Sequence, residues 1–274
     1  MNSSPSYNFT GKTVVMTGGT GVLGSEIALA LAQNGANVAL LTRDPARATS
    51  LIEKIQNTPG KAAVFTADVL NRPALELAAG EIVKTFGRVD ALINAAGGNS
   101  PKATTNPEQS FFQLSEDALR QVFNLNLLGT ILPCQVFGKL IADRKEGVIL
   151  NISSMAAFKP LTRVAAYSAA KAAVNNFTQW LAVYMAQEFS PNIRVNAIAP
   201  GFFLTEQNRF LLTEKEGGTL TPRGKKIVEH TPAGRFGEAK ELTGAVLWLL
   251  SPESNFVSGV VVPLDGGFSA YSGV

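Results

Sequence analysis

Along the chain, short unbroken aliphatic runs alternate with longer stretches in which apolar positions recur every three or four residues. The runs fall at 13–17, 38–42, 62–67, 91–94, 147–152, 193–199 and 260–263 and predict seven strands. Between them, stretches of helical period fall at 24–33, 46–56, 73–86, 116–144, 167–188 and 239–250. A strand with one wet face alternates apolar and polar residues, whereas these runs are apolar throughout, which requires burial on both faces. The pattern therefore predicts an α/β fold, a doubly wound parallel sheet with helices on both faces. It reads as one domain over 11–274, behind a flexible N-terminal leader at 1–10. One stretch breaks the rhythm. Residues 202–231 carry Gly217, Gly218, Pro222 and Gly224 among several charges, too long for a plain connection, and are expected to form a partly helical substrate lid.

Composition adds exclusions. With 46% hydrophobic and 16% charged residues over 274 positions, the chain has an ordinary globular interior. Its net charge of +3 is spread without a basic stripe, which argues against nucleic acid. A lone cysteine, Cys134, excludes an intrachain disulfide and is expected to be a buried structural thiol. No apolar run approaches the roughly 20 residues of a membrane span and the first ten residues are polar, so a cytoplasmic protein without a membrane partner is expected.

The first predicted strand runs straight into Thr17-Gly18-Gly19-Thr20-Gly21-Val22-Leu23-Gly24, and a helix follows. Such a turn lets backbone N–H groups approach a pyrophosphate at a helix N-terminus, so Gly18, Thr20, Gly21, Val22, Leu23 and Gly24 are candidates to hold a dinucleotide in a Rossmann-type sheet. At the end of the second strand an acidic residue would pair with the ribose hydroxyls of NAD; Thr42-Arg43 stands there instead. Guanidinium pairs well with a 2′-phosphate, which favours NADP(H) over NAD(H), although Asp44 follows at once.

Tyr167-Ser168-Ala169-Ala170-Lys171 begins a long helix, and the i, i+4 spacing puts phenol and amine on one face. A free phenol has a pKa of about 10, and a neighbouring cation would stabilise its phenolate. Alone, the spacing is common on solvated helices. Here Asn151-Ile152-Ser153-Ser154 and Asn94-Ala95-Ala96-Gly97 close two preceding strands, and strand C-termini gather on the binding edge of a parallel sheet.

With these motifs together, the chain resembles the short-chain dehydrogenase/reductase family from Gly11 to Asp265-Gly266-Gly267. The resemblance implies that Tyr167 exchanges the proton, Ser154 binds the substrate oxygen, Lys171 holds the nicotinamide ribose and tunes Tyr167, and Asn126 supports a water relay to the lysine. It also implies that Asp68 and Val69 hold the adenine, that Asn94, Ala95 and Gly97 line the cofactor, and that Pro200, Gly201 and Thr205 meet the carboxamide. A homotetramer, or a dimer, built through the helix from Tyr167 and the preceding one is implied as well. Val22 stands where many members have glycine, so the pyrophosphate turn departs from the usual spacing.

The segments Gly97 to Thr105, Gly201 to Arg209, Thr221 to Lys226 and the ending Asp265 to Val274 are similar to those of the D-mannonate oxidoreductase (fructuronate reductase) branch. That resemblance implies a small carbonyl or alcohol substrate of the keto sugar acid type. Lys102 or Arg209 is then expected to meet its carboxylate, and Asn99 and Gln207 its hydroxyls. Alternatives are another gluconate-type acid, a 3-oxoacyl thioester, a steroid-like ketone, or a non-catalytic NADP-binding regulator. No metal is expected, and His230, the sole histidine, is expected in the loop or lid without a catalytic role.

Overall fold

The computed structural model describes residues 7–204, 212–214 and 219–273. Seven strands, β1 (Thr13–Thr17), β2 (Asn37–Thr42), β3 (Lys61–Thr66), β4 (Ala91–Asn94), β5 (Gly147–Ile152), β6 (Ile193–Pro200) and β7 (Val261–Leu264), form one parallel sheet in the order β3-β2-β1-β4-β5-β6-β7. The strand order reverses between β1 and β4, and the crevice beyond their C-terminal ends is where such sheets bind ligands.

Successive side chains on a strand point to opposite faces, and both faces are apolar because both are covered. On one face Val14, Met16, Val38, Leu40, Ile93 and Leu150 pack with Ile27 and Leu31 of α1 (Val22–Gln33), Leu51 and Ile55 of α2 (Thr49–Ile55), and Val246 of a later helix, Thr243–Leu250. On the other, Val15, Leu41, Leu92, Ile149 and Val195 meet Leu75 and Ile82 of α3 (Arg72–Phe86) and a second layer made by Phe137, Ile141, Leu181 and Met185. Each large aliphatic side chain so buried contributes about 1.5–3 kcal/mol.

The stretch expected to be one helix over 116–144 is α4 (Glu116–Phe123) and α5 (Gly129–Arg144), joined by a π-helical turn at Asn124–Leu128. Ser115 caps α4 by accepting from Ala118 N at 3.3 Å. By length and apolarity Glu116–Arg144 would suffice to cross a membrane, which corrects the expectation that no stretch comes near that limit. Part of its apolar surface is taken up by the core, where Cys134, Phe137 and Ile141 are buried, while Phe123 and Leu128 stay exposed. Among the described residues the other α-helices are α6 (Ala165–Glu188), α7 (Pro222–Glu229) in the expected lid, and α8 (Thr243–Leu250).

The N-terminal ends of the strands are tied by Asp90. Its carboxylate accepts from Thr13 N at 2.9 Å and faces Arg88, Lys12 at 3.6 Å and Arg144 at 3.7 Å. The depression of about 390 Å³ at that edge is lined by these structural groups and holds none of the residues singled out for chemistry.

Candidate active site

At the C-terminal edge of the sheet lies a cleft of about 510 Å³. One end is built by the turn from β1 into α1. Gly18 has φ 65°, and a Cβ there would lie 2.5 Å from the Ala95 carbonyl; a Cβ on Gly24 would lie 2.3 Å from Gly18 O. Only glycine allows the turn to close this tightly against the end of β4. The N-cap of α1, Gly21, brings no capping side chain and the first turn has no acid. Its free N–H groups and positive dipole end therefore face the cleft at the Gly18 to Gly24 wall, a fit for a pyrophosphate with Val22 as the first helical residue.

At the adenosine end, Thr42, Arg43, Arg47, Asp68 and Val69 line the wall. Asp44 does not: its carboxylate accepts from Ala46 N at 3.1 Å and caps the short helical turn there. Arg43 stands 3.8 Å from the Asp68 carboxylate, with both side chains well exposed, so the contact is weak and the guanidinium remains available to an anion.

The other end of the cleft gathers the proposed chemistry. Ser154, two residues past the end of β5, and Tyr167, in the first turn of α6, both line the cleft here. Burial raises the Tyr167 pKa, and the nearby Ser154 hydroxyl opposes that shift. Lys171, one turn along, is buried, donates to Ile152 O at 2.7 Å and lies 5.8 Å from the centre of the Tyr167 ring. Burial lowers its pKa from 10.5 to about 8. The upward shift of Tyr167 keeps the phenol protonated at neutral pH, beside the serine that would also meet a substrate oxygen.

Asn126 sits, fully buried, in the middle of the π turn. Its amide donates to Gly98 O at 2.7 Å and Val122 O at 2.8 Å, and its Oδ1 accepts from Gly98 N at 3.1 Å. Thr130 donates to the Asn126 carbonyl at 2.9 Å. The wider π turn places this side chain under the Gly97-Gly98 corner, next to Lys171.

Ala95, Gly97, Pro200 and Gly201 line the cleft, whereas Asn94 does not and is buried. Side chains alternate along β4, and Asn94 points into the sheet's covered face, donating to Asn151 Oδ1 at 2.9 Å and Cys134 Sγ at 3.1 Å. Lys102 and Asn99 do not line the cleft either. Asn99 donates to Thr104 Oγ1 at 2.7 Å, and the Lys102 carbonyl accepts from Gln109, so both hold their loop together. Thr205, Gln207 and Arg209 lie outside the described residues. His230 ends α7, its ring 4.7 Å from Phe268 and 5.0 Å from Tyr271. Cys134 is buried, and burial pushes its thiol up to about 12. Among the described residues no group of acids, histidines and thiols could hold a metal.

The cleft also contains residues to which the sequence reading gave no role, among them Arg47, Ile152, Leu125 and Leu242. Arg47 stands four residues after Arg43, a spacing that could have flagged it; the Ile152 contribution is a backbone carbonyl and leaves no side-chain signal.

The family model for short-chain dehydrogenases matches residues 12–216. An uncharacterized oxidoreductase of Bacillus subtilis (strain 168) is 48% identical over 276 residues, covering 97% of this chain and 98% of its own. The 7α-hydroxysteroid dehydrogenase of Escherichia coli (strain K12) is 30% identical over 97% of this chain and 98% of its own. A crystal structure from Haemophilus influenzae, provisionally named a D-mannonate oxidoreductase and containing NAD, superposes with a TM-score of 0.91 at 47% identity, over 98% of both chains.

Proposed function

The chain belongs to the short-chain dehydrogenase family and is an oxidoreductase with a nicotinamide cofactor, and from that premise we propose that it interconverts a keto sugar acid and its hydroxy acid, with Tyr167 as the proton donor and acceptor. The observation that carries the chemistry is the convergence of Ser154, Tyr167 and Lys171 at the end of the cleft opposite the adenosine wall. The bound dinucleotide supplies or takes the hydride and, when oxidised, brings a cationic ring. In reduction, hydride reaches the carbonyl carbon while the Tyr167 hydroxyl gives its proton to the carbonyl oxygen, which Ser154 orients by a hydrogen bond. Burial keeps Tyr167 protonated in the free enzyme, which suits this direction. In oxidation Tyr167 must first become phenolate, and the neighbouring Lys171 ammonium favours that form. Asn126 holds the Gly97-Gly98 corner and, through it, the space around Lys171.

NADP(H) is the cofactor this account favours, because Arg43 and Arg47 line the adenosine end while the Asp44 carboxylate is engaged elsewhere. The Haemophilus influenzae relative, which contains NAD, supports NAD(H) as a second reading. The substrate choice draws on that same relative, named for D-mannonate. A steroid ketone is the second substrate reading, supported by the Escherichia coli relative. Of the lid expected over 202–231, in which 205–211 and 215–218 lie outside the described residues, α7 would be the helical part, and the single buried thiol suits a reducing cytoplasm. A homo-oligomer fits the outer face of α6, where Trp180 stacks on Tyr184 at 5.0 Å and Val183 is exposed.

The test is a steady-state panel of D-fructuronate, 5-keto-D-gluconate, acetoacetyl thioester and a steroid ketone, each with NADPH and NADH. Turnover of a sugar acid, preferentially with NADPH, is expected. Activity confined to the thioester or the steroid would refute the substrate assignment, and a preference for NADH that Arg43→Ala leaves unaltered would refute the cofactor assignment.

A further inference from the structure

The C-terminal end of β5 is tied to α6 by side-chain hydrogen bonds at successive turns of the helix. The Asn151 amide donates to Thr178 Oγ1 at 2.9 Å, and Thr178 donates in turn to Val174 O at 2.8 Å. The Ser153 hydroxyl donates to Asn175 Oδ1, with the Lys171 carbonyl as a second, weaker acceptor at 3.4 Å. Lys171 donates through its ammonium to Ile152 O at 2.7 Å. Asn151 and Ser153 are two apart on one chain segment and share a face; Asn175 and Thr178 are three apart on the helix and do the same.

The buried face of α6 is otherwise largely apolar, with Ala170, Val174 and Leu181 among its residues. Apolar contacts have no preferred direction and let a helix slide or roll slightly, whereas a hydrogen bond fixes both distance and angle. Asparagine is a poor helix former, so Asn175 does nothing for the helix by itself; what it supplies is an acceptor for Ser153. The Ser153 end of that bond is rigid. Its N–H donates to Ile198 O of β6 at 2.8 Å, and the side chain is buried at the edge of the cleft.

Asn175 lies one turn, about 6 Å, beyond Lys171 along the helix. The two bonds therefore close a ring that runs from the Lys171 ammonium to Ile152, through the peptide to Ser153, across to Asn175 and back along one turn to Lys171. Lys171 is thus held at both ends of its side chain, the backbone by the Ser153–Asn175 bond and the ammonium by the Ile152 carbonyl. An ammonium has three N–H groups, and Ile152 takes one. Where the others point is set by the height of the turn that carries them. The Asn151–Thr178 bond, about 10 Å along the axis from Lys171, closes no such ring.

We propose that Ser153 and Asn175 are positioning residues, whose hydrogen bond sets the Lys171 turn against the end of β5 and so holds the Lys171 ammonium in place beside Tyr167. This rests on the reading of Tyr167 and Lys171 as the proton-transfer pair. Neither Ser153 nor Asn175 exchanges a proton with the substrate; both act through Lys171.

The experiment measures kcat and KM in the full-length enzyme. The substrate is whichever of D-fructuronate, 5-keto-D-gluconate, acetoacetyl thioester and a steroid ketone the parent reduces fastest, with the cofactor it prefers. The variants are S153A, N175L, their double, the rescue variant S153T, the control T178V, and S153A and N175L again in a K171M background. S153A and N175L are each expected to lower kcat about 10-fold, while KM for the carbonyl stays within about 2-fold of the parent's. The double should be no worse than either single variant, because both remove one bond. S153T keeps the hydroxyl and should restore most of kcat. T178V removes the bond one turn further on and should lower Tm without lowering kcat. In the K171M background S153A and N175L should cost no further turnover, since the amine they position is gone. Parental kcat in both single variants would overturn the proposal. So would an equal loss with and without Lys171, since the pair would then act on the fold and not on the amine. Should S153A lose its cooperative melt, N175L, at a half-buried helix position, carries the same comparison. Tyr167→Phe is assayed alongside. Parental turnover in that enzyme would overturn the proton reading itself, whereas a collapse there with parental kcat in S153A and N175L overturns the pair alone.

Discussion

Gly97→Ala joins the fold to the chemistry in one substitution. A methyl on Gly97 would lie 2.8 Å from Asn126 Oδ1 and 3.2 Å from Lys171 Nζ. Both are too close for carbon against a polar heavy atom, so something must move. Asn126 is the harder to displace, because its amide is bonded to Gly98 O at 2.7 Å, to Gly98 N at 3.1 Å and to Val122 O at 2.8 Å. Giving up the two Gly98 bonds, at a net 0.5–1.5 kcal/mol each, costs about 1–3 kcal/mol. For a chain of this size each kcal/mol is roughly 2 °C in Tm, so a fall of roughly 2–6 °C is expected by thermal scanning. Turnover should fall too, by about 10-fold, since the Lys171 amine, 3.2 Å from the new methyl, must give way by roughly a few tenths of an ångström. Gly80→Ala is the control: Gly80 is exposed inside α3, and a Cβ there meets nothing within 4 Å. It should stabilise the protein by about 0.5–1 kcal/mol and leave turnover alone. If Gly97→Ala keeps the parental Tm and turnover, the close packing of Asn126 and Lys171 against this corner is wrong.

Lys171→Met should separate stability from activity. The folded protein holds the Lys171 pKa at about 8 against 10.5 when exposed, so the unfolded chain binds more protons between those values and stability should rise with pH across that window. The buried charge costs on the order of 3 kcal/mol at pH 7. Lys171→Met should therefore flatten the pH dependence of unfolding between 8 and 10.5 and not lower Tm at pH 7, while turnover drops at least about 100-fold; an unchanged slope in denaturant titrations would contradict the burial argument. Cys134 should be inert to a thiol reagent at pH 8 in the folded protein and titrate as one thiol per chain in denaturant, because burial pushes it up to about 12. Rapid labelling of the folded form would refute its place under the sheet.

The sheet was legible because each strand is apolar on both faces. Val14 and Met16 serve one layer, Val15 the other, and the run 13–17 needs no context to be read. The break inside 116–144 was not legible. Asn124-Leu125-Asn126-Leu127 keeps helical spacing, and the π turn coincides with bonds from Asn126 to Gly98, 28 residues away. The same limit applies to the site. Tyr167 and Lys171 share a helix face and announce themselves, whereas the Ile152 carbonyl that accepts from Lys171 leaves no side-chain signal in the sequence. Asn94 shows the converse: its neighbours Ala95 and Gly97 reach the cleft, but strand alternation turns its own side chain into the core.

The central claim is that Tyr167 carries the proton. Tyr167→Phe keeps the ring and its packing and removes only the hydroxyl, in the cleft it shares with Ser154 and Lys171. Cofactor affinity, followed by nicotinamide fluorescence, should match the parent's, while turnover of the best acid substrate falls by about 10²–10⁴-fold. Parental turnover in a Tyr167→Phe enzyme that binds cofactor normally would contradict the account.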